Sequence, residues 1–191
     1  MNKTINDKRI IGANDIQGMQ TYVDSSHAVH MDMRGHRGGV SNFGIGVFTA
    51  KPSKQNMNLR ISNESGLIGN SEYLMYNILY EYFLESQGYP MKYNRTWKNN
   101  EAAEKMAKNG KVSCSINCRD IGIKLLWVYY REKQGKTSIK HCPIDKTFAD
   151  LFTKHLQGSR FKMFRKVVMG WDDVATLWDD SDDKYKVSST S

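Results

Sequence analysis

Four basic side chains stand close together in the sequence and could hold phosphate groups. They flank the β-prone residues 40–50 and are Arg34, Arg37, Lys51 and Lys54. Guanidinium and ammonium groups are common protein contacts to nucleic-acid phosphates. Ordinary surface charge is the competing interpretation, and the sequence leaves both open.

Cysteine and histidine residues offer a second candidate chemistry. Cys114 and Cys118 are three residues apart, and His141 precedes Cys142, a spacing within the range of zinc ligands. Three cysteines are an odd number, however, and residues 1–9 lack the apolar run of a secretory signal. We therefore favour reduced thiols in an intracellular protein, in a compartment that the sequence does not name.

The charge of the chain is unevenly distributed. The net charge is +8, yet residues 172–191 contain six acids and two bases. The preceding 171 residues therefore hold 26 bases and 14 acids, a net charge of +12. A basic body with an acidic tail favours a polyanionic partner, most simply nucleic acid. No apolar run approaches the roughly 20 residues of a membrane helix, so we expect no membrane partner.

The elements that must position these side chains are strands first, followed by alternating helices and strands. Apolar alternation predicts strands over 21–24, 40–50, 57–61, 91–97 and 137–141. Helical spacing predicts helices over 64–87, 100–109 and 148–168, the last with a break at Gly158. Residues 121–131 fit a helix or a buried strand. This order indicates an α/β domain, a mixed sheet covered by helices.

Several segments, taken in order, resemble the RNase H region of copia-type retroelement polyproteins. The resemblance spans about residues 21–170, and the matching segments are 22–39 (YVDSSHAVHMDMRGHRGG), 53–65, 82–89, 108–114, 141–158 and 164–170. It implies an RNase H-like fold, a mixed five-stranded sheet with helices on both faces. We accordingly divide the chain into a leader (1–20), an RNase H-like domain (21–170) and an acidic tail (171–191).

The resemblance also implies a chemistry based on four carboxylates. RNase H enzymes cleave the RNA strand of an RNA–DNA hybrid with two divalent metal ions roughly 4 Å apart. Asp24 matches the acid on the first strand, and Asp150 matches the acid of the last helix. Gly66 and Asn99 occupy the other two acid positions. Two of four metal-binding and catalytic carboxylates are therefore missing, and we expect no cofactor, or Mg²⁺ only if residual activity remains.

Three functions follow as hypotheses. The first is a catalytically degenerate, domesticated RNase H-like domain that binds RNA or RNA–DNA hybrid, or serves assembly of a ribonucleoprotein with other protein subunits. The second is an active retroelement ribonuclease H with an incomplete acid set. The third is a structural subunit that binds protein only. Gly66 and Asn99 argue against the second hypothesis, and the basic body favours the first over the third.

Overall fold

A computed structural model describes residues 6–26, 30–55, 62–101, 104–105, 108 and 119–178. Its strands are β1 (Gly12–Ala13), β2 (Gly18–Ser26), β3 (His36–Asn42), β4 (Gly44–Ile45), β5 (Val47–Ala50), β6 (Ser53–Lys54), β7 (Tyr93–Lys98) and β8 (Ser138–His141). Its main helices are α1 (Ser62–Ser86), α2 (Arg119–Lys133) and α3 (Gly158–Met169). Short 3-10 helices cover Ile144–Lys146, Phe148–Phe152 and Val174–Leu177. The strand predicted over 57–61 lies outside the described residues, as does part of the helix predicted over 100–109.

The main sheet is mixed, with β2 at its centre. The strand order is β5-β3-β2-β7-β8, and the short β6 pairs with β3. The pairs β2–β3 and β3–β5 are antiparallel, whereas β2–β7 and β7–β8 are parallel. Helices α1 and α2 pack together on one face, and α3 packs with the second 3-10 helix on the other. The predicted α/β class, a mixed five-stranded sheet with helices on both faces, is confirmed.

Alternating strand residues supply a separate core to each face of the sheet. On the α3 face, Tyr22 and Trp97 are buried against Phe148 and Phe164. On the α1 face, a smaller cluster joins the two helices to β8 and contains Leu74, Ile78, Val128 and Ile139. Strand β2 contributes Tyr22 to the first core and contacts α1 on the opposite face, so its carboxyl end lies between two packed layers.

A buried polar network lies beneath α1. The Thr21 hydroxyl is 2.9 Å from the Ser41 hydroxyl and donates to Asn77 Oδ1 at 3.0 Å. The amide of Asn77 donates in turn to Thr96 at 3.5 Å. Since buried polar groups are costly without hydrogen bonds, these contacts fix the register of α1 against β2, β3 and β7.

A glycine pair in β3 allows both helical layers to approach the sheet. A Cβ at Gly38 would lie 2.8 Å from Cβ of Phe152, and a Cβ at Gly39 would lie 2.3 Å from the Tyr73 ring. The first contact is on the 3-10 helix side and the second on the α1 side. Gly38 is also the pairing partner of Asp24. The pair therefore brings the Phe148–Phe152 helix close to the end of β2.

Two element predictions require correction. The strand predicted over 40–50 is interrupted after Asn42, because Gly44 (φ 117°) and Gly46 (φ 65°) adopt backbone conformations that turn the chain. Residues 148–168 are divided near Gly158, as predicted, with α3 beginning at that residue, but the first piece is the 3-10 helix Phe148–Phe152 and not an α-helix. Residues 121–131, which fitted helix or strand, are helical and belong to α2.

The packed unit extends beyond the predicted limits of 21–170. Strand β2 begins at Gly18, and the backbone of Ile10 donates to Met169 at 2.8 Å. Val174 and Leu177, assigned to the tail, are buried in the α3-face core because the chain folds back after α3. Residues 179–191 of the tail lie outside the described residues. In the part of the chain that is described, no helix is long and apolar enough to cross a membrane.

Candidate functional site

Asp24 lies near the carboxyl end of the central strand β2, where its side chain is 3% exposed. Its carboxylate is held by two neutral donors. The Asn99 amide, just after β7, donates to Oδ1 at 3.2 Å, and the Thr153 hydroxyl donates to Oδ2. Because β2 and β7 are parallel neighbours, their carboxyl ends meet at the same edge of the sheet. The topology therefore brings Asp24 and Asn99 together, and Asn99 turns its amide nitrogen, not its oxygen, towards the site.

Asp150 reaches the same edge from the opposite layer. It belongs to the 3-10 helix Phe148–Phe152, which packs close to Gly38, and its side chain is fully buried. Lys154 Nζ lies 2.9 Å from Oδ1 of Asp150, and Arg160 Nη2 donates to Oδ2 at 3.1 Å. Both carboxylate oxygens of Asp150 therefore accept from a cation of the same chain.

Lys154 connects the two carboxylates. Its ammonium group lies 3.5 Å from Asp24 Oδ2 in addition to its contact with Asp150. The structure thus brings Asp24 and Asp150 together, as expected, and places an ammonium group between them. The catalytic and metal-binding roles assigned to these two residues remain predictions.

Burial, and to a smaller extent the neighbouring Asp24 carboxylate, raise the pKa of Asp150 to about 6. Lys154 lowers this pKa through its hydrogen bond and its charge, so it opposes both effects without cancelling them. Asp150 therefore takes up a proton within the mildly acidic range, where an ordinary aspartate stays ionised.

A second lysine reaches the site from the α1 side. Lys98, the last residue of β7, is almost completely buried, and its Nζ donates to the backbone carbonyl of Gly66 at 2.5 Å. Burial lowers the pKa of Lys98 to about 7, while Asp24 and Glu104 raise it. At the position where the sequence resemblance implies a helix carboxylate, the Gly66 carbonyl therefore accepts a hydrogen bond from the side chain of Lys98.

This donor set does not fit a pair of divalent metal ions. Magnesium takes oxygen ligands, usually carboxylates together with waters and substrate phosphates. The site offers two carboxylates, both already bound by Lys154, and Asn99 turns its amide donor towards Asp24. Gly66 supplies no side chain. Among the described residues, no group of three or more His, Cys, Asp or Glu side chains could hold a metal ion.

The four predicted phosphate-binding residues lie along the β3 side of the sheet, in two groups. Arg34 and Lys54 both pair with Asp32, at 3.4 and 2.7 Å. The hydrogen bond from Lys54 is the main reason that the pKa of Asp32 is lowered. All three side chains remain more than 40% exposed, so their net positive charge faces solvent.

The second group lies where β3 and the end of β5 meet α1. Arg37 donates to Ser53 at 2.8 Å and pairs with Glu72 of α1 at 2.5 Å. Lys51 Nζ lies 3.5 Å from the centre of the Tyr76 ring, also on α1. The structure therefore places all four cations near one another, but ties each group to a different partner. Their contact with phosphate remains a prediction.

Sequence reasoning missed the three cations of the carboxylate site, namely Lys98, Lys154 and Arg160. One of them left a signal, since Lys154 follows Asp150 by four residues, a spacing at which side chains meet on one helical turn. The other two did not, because Lys98 has no pattern that marks it as buried, and Arg160 reaches Asp150 only through the turn into α3. Of the cysteines considered as zinc ligands, Cys142 is buried, and Cys114 and Cys118 lie outside the described residues.

Comparisons with known proteins give structural similarity only. No family model matches the chain, and no curated protein sequence matches it. An RNase H1 structure from the halophilic archaeon Halobacterium salinarum is 10% identical, with a TM-score of 0.48, over 68% of this chain and 89% of that one. The N-terminal RNase H domain of a Mycobacterium tuberculosis protein is 7% identical, with a TM-score of 0.48, over 78% and 96%. The chain is thus similar to these structures in arrangement, and nothing about its activity follows from that similarity.

Proposed function

We propose that this chain is an RNase H-like domain of copia-type origin that binds RNA or RNA–DNA hybrid without cleaving it. One observation carries the proposal. The only two carboxylates left at the family's acid positions, Asp24 and Asp150, are bridged by the ammonium group of Lys154. A site whose negative charge is already compensated from within the chain attracts divalent metal ions weakly.

The basic surface supports retained binding. Arg34 and Lys54 share one aspartate and stay exposed, which leaves one uncompensated positive charge on that side of β3. Arg37 and Lys51 continue the basic surface along the same part of the sheet. Phosphate contacts of this kind do not need a metal ion, so binding and cleavage separate in this chain.

A second candidate, a structural subunit that binds other proteins, is favoured by one feature of α1. Leu79, Tyr82 and Phe83 are 49–61% exposed, and they follow one another at helical spacing. Exposed apolar residues grouped in this way are common at protein interfaces. Membership of a ribonucleoprotein would use both surfaces at once.

The test is binding of a fluorescent 12-base-pair RNA–DNA hybrid, measured by anisotropy in EDTA over a range of salt concentrations. We expect binding in EDTA, with log K falling steeply against log salt because phosphate contacts release counterions. Lys54→Gln should weaken binding and flatten the slope. Lys166→Gln is the matched control, since Lys166 is also an exposed lysine paired with an aspartate, Asp172, but lies on α3. Absence of binding at low salt would contradict the proposal and favour the protein-binding subunit.

A further inference from the structure

A groove of about 810 Å³ lies between the middle of α1, the β5–β6 connection and α2. Small-molecule sites commonly measure roughly 300–1,000 Å³, so the groove is large enough for a ligand. It is distinct from the carboxylate site, since neither Asp24 nor Asp150 lines it. Its lining combines cations with aromatic and aliphatic side chains, among them Lys51, Met75, Tyr76, Ile123, Lys124 and Trp127.

The charge of the groove favours an anion. Arg37, Lys51 and Lys124 contribute three positive charges to the lining, and Glu72 contributes one negative charge. Glu72 is engaged by two of these cations, Arg37 at 2.5 Å and Lys124 at 3.5 Å. The lining therefore has a net charge of +2, and an anionic ligand would complement it.

The apolar part of the groove favours a planar ligand. Tyr76 is 37% exposed, and the ammonium group of Lys51 lies 3.5 Å from the centre of its ring. Met75 and Ile123 are each more than half exposed, and Trp127 completes the lining. A nucleobase of any type can stack on an aromatic ring, while the phosphate of the same nucleotide pairs with a nearby cation. A base that stacks on Tyr76 would take the place of the Lys51 ammonium group on that ring, and Lys51 would then be free to pair with the phosphate of the same nucleotide.

The groove is also continuous with the basic surface already described. Arg37 lies on β3 next to Gly38, the strand partner of Asp24. The side chain of Arg37 pairs with Glu72 of α1, so the groove lies on the α1 face of the sheet, whereas Asp24 contacts Thr153 on the 3-10 helix side. Two of the four phosphate-binding residues predicted from the sequence, Arg37 and Lys51, line the groove.

We propose that this groove binds one nucleotide of a single-stranded RNA or DNA segment, with the base against Tyr76 and the phosphate near Lys51 and Lys124. This inference rests on the proposed nucleic-acid-binding function and extends it to single strands. It assigns the groove a role in affinity that does not depend on the sequence of the bases.

The experiment measures anisotropy of fluorescein-labelled eight-nucleotide oligo(U) RNA and oligo(dT) DNA, with each variant checked by thermal unfolding. Tyr76→Leu should weaken binding about tenfold, the effect of removing one stacked base. Lys51→Gln should reduce the salt slope by about 0.7, the value for one phosphate of a single strand. Tyr82→Leu is the matched control, because Tyr82 is an exposed tyrosine of the same helix with Lys136 Nζ 5.5 Å from its ring centre. Tyr82 lies outside the groove lining, so the affinity of the Tyr82→Leu variant for the oligonucleotides should equal that of the wild type.

The outcomes separate this inference from the function on which it rests. An equal loss of oligonucleotide affinity in Tyr76→Leu and Tyr82→Leu, or no loss in either, would overturn the proposed nucleotide site in the groove. Binding of the hybrid would then still support the proposed function. Competition by an acidic, aromatic-containing peptide as strong as that by the oligonucleotide would assign the groove to a protein ligand and would also overturn it. Failure of both the hybrid and the oligonucleotides to bind would remove the proposed function itself. Comparison of the two oligonucleotides shows whether RNA or DNA is the preferred source of the nucleotide.

Discussion

Replacing Lys154 with methionine should destabilise the protein by an amount that depends on pH. The ammonium group lies 2.9 Å from Asp150 and 3.5 Å from Asp24, and both carboxylates are buried. Breaking a fully buried pair costs about 3–5 kcal/mol, whereas an exposed pair contributes about 0–1 kcal/mol. The Lys154 side chain is 40% exposed, so we expect a loss of about 2 kcal/mol at pH 7.5.

The pH dependence of this loss follows from Asp150. Its pKa is raised to about 6 by burial and by Asp24, so the carboxyl group is mainly ionised at pH 7.5 and mainly protonated at pH 5. A protonated Asp150 has no charge for Lys154 to stabilise. The destabilisation caused by Lys154→Met should therefore fall to about half, roughly 1 kcal/mol, at pH 5.

Urea unfolding of the wild-type chain and the variant at pH 5 and 7.5 measures both quantities. Lys166→Met is the control, because Lys166 is more exposed than Lys154 and, among the described residues, its ammonium group pairs with Asp172 alone. Its effect should stay within about 0.5 kcal/mol. Adding Asp150→Asn to both the wild type and Lys154→Met completes a double-mutant cycle. A loss that is equal at the two pH values, or that Asp150→Asn leaves unchanged, would refute the internal ion pair.

Three further predictions concern buried groups. Asp150→Asn should gain about 1 kcal/mol of unfolding free energy relative to the wild type between pH 5 and 7, measured by urea unfolding. A carboxyl group whose folded pKa is raised stabilises the fold at low pH and loses that contribution as pH rises through about 6. Between pH 7 and 9 the free energy of unfolding of the wild type should rise by about 2 kcal/mol through Lys98, since the unfolded lysine holds a proton that the folded one, with a pKa of about 7, releases. Lys98→Met should lack this rise, and an equal rise in both proteins would contradict the prediction. Leu177→Ala should lower the free energy of unfolding by about 2–3 kcal/mol, measured by thermal unfolding, because Leu177 is in the core. A decrease below about 0.5 kcal/mol would show that residues 174–178 are not part of the packed unit.

Patterns in the sequence accounted for the sheet and the carboxylate pair for identifiable reasons. Apolar runs marked β2, β7 and β8, and helical spacing marked α1, because burial imposes those periods on the chain. The resemblance then located Asp24 and Asp150, which the structure places together. The break within residues 40–50 was missed because two positive-φ glycines, Gly44 and Gly46, stand inside an otherwise apolar run.

The cations that compensate the charges of Asp24 and Asp150 could not be predicted in the same way. Lys98 is a lysine at the end of a strand, and such residues are ordinarily exposed; only the packing of α1 against β7 buries it beneath Gly66. Arg160 and Asp150 are ten residues apart, and the turn at Gly158 joins them. The groove beside Tyr76 likewise brings together α1, α2 and the β5–β6 connection, which are distant in sequence. Long-range contacts of this kind leave no local periodicity.

The central claim, binding without cleavage, is tested most directly by incubating the protein with a hybrid that carries a labelled RNA strand, in Mg²⁺, at a concentration where anisotropy shows the hybrid to be bound. The wild type, Asp24→Asn and the double variant Gly66→Glu with Asn99→Asp are compared by the length of the RNA products. We expect intact RNA with the wild type and with Asp24→Asn, because Lys154 compensates the carboxylates. Cleavage by the wild type that Asp24→Asn abolishes would contradict the account and identify an active ribonuclease H.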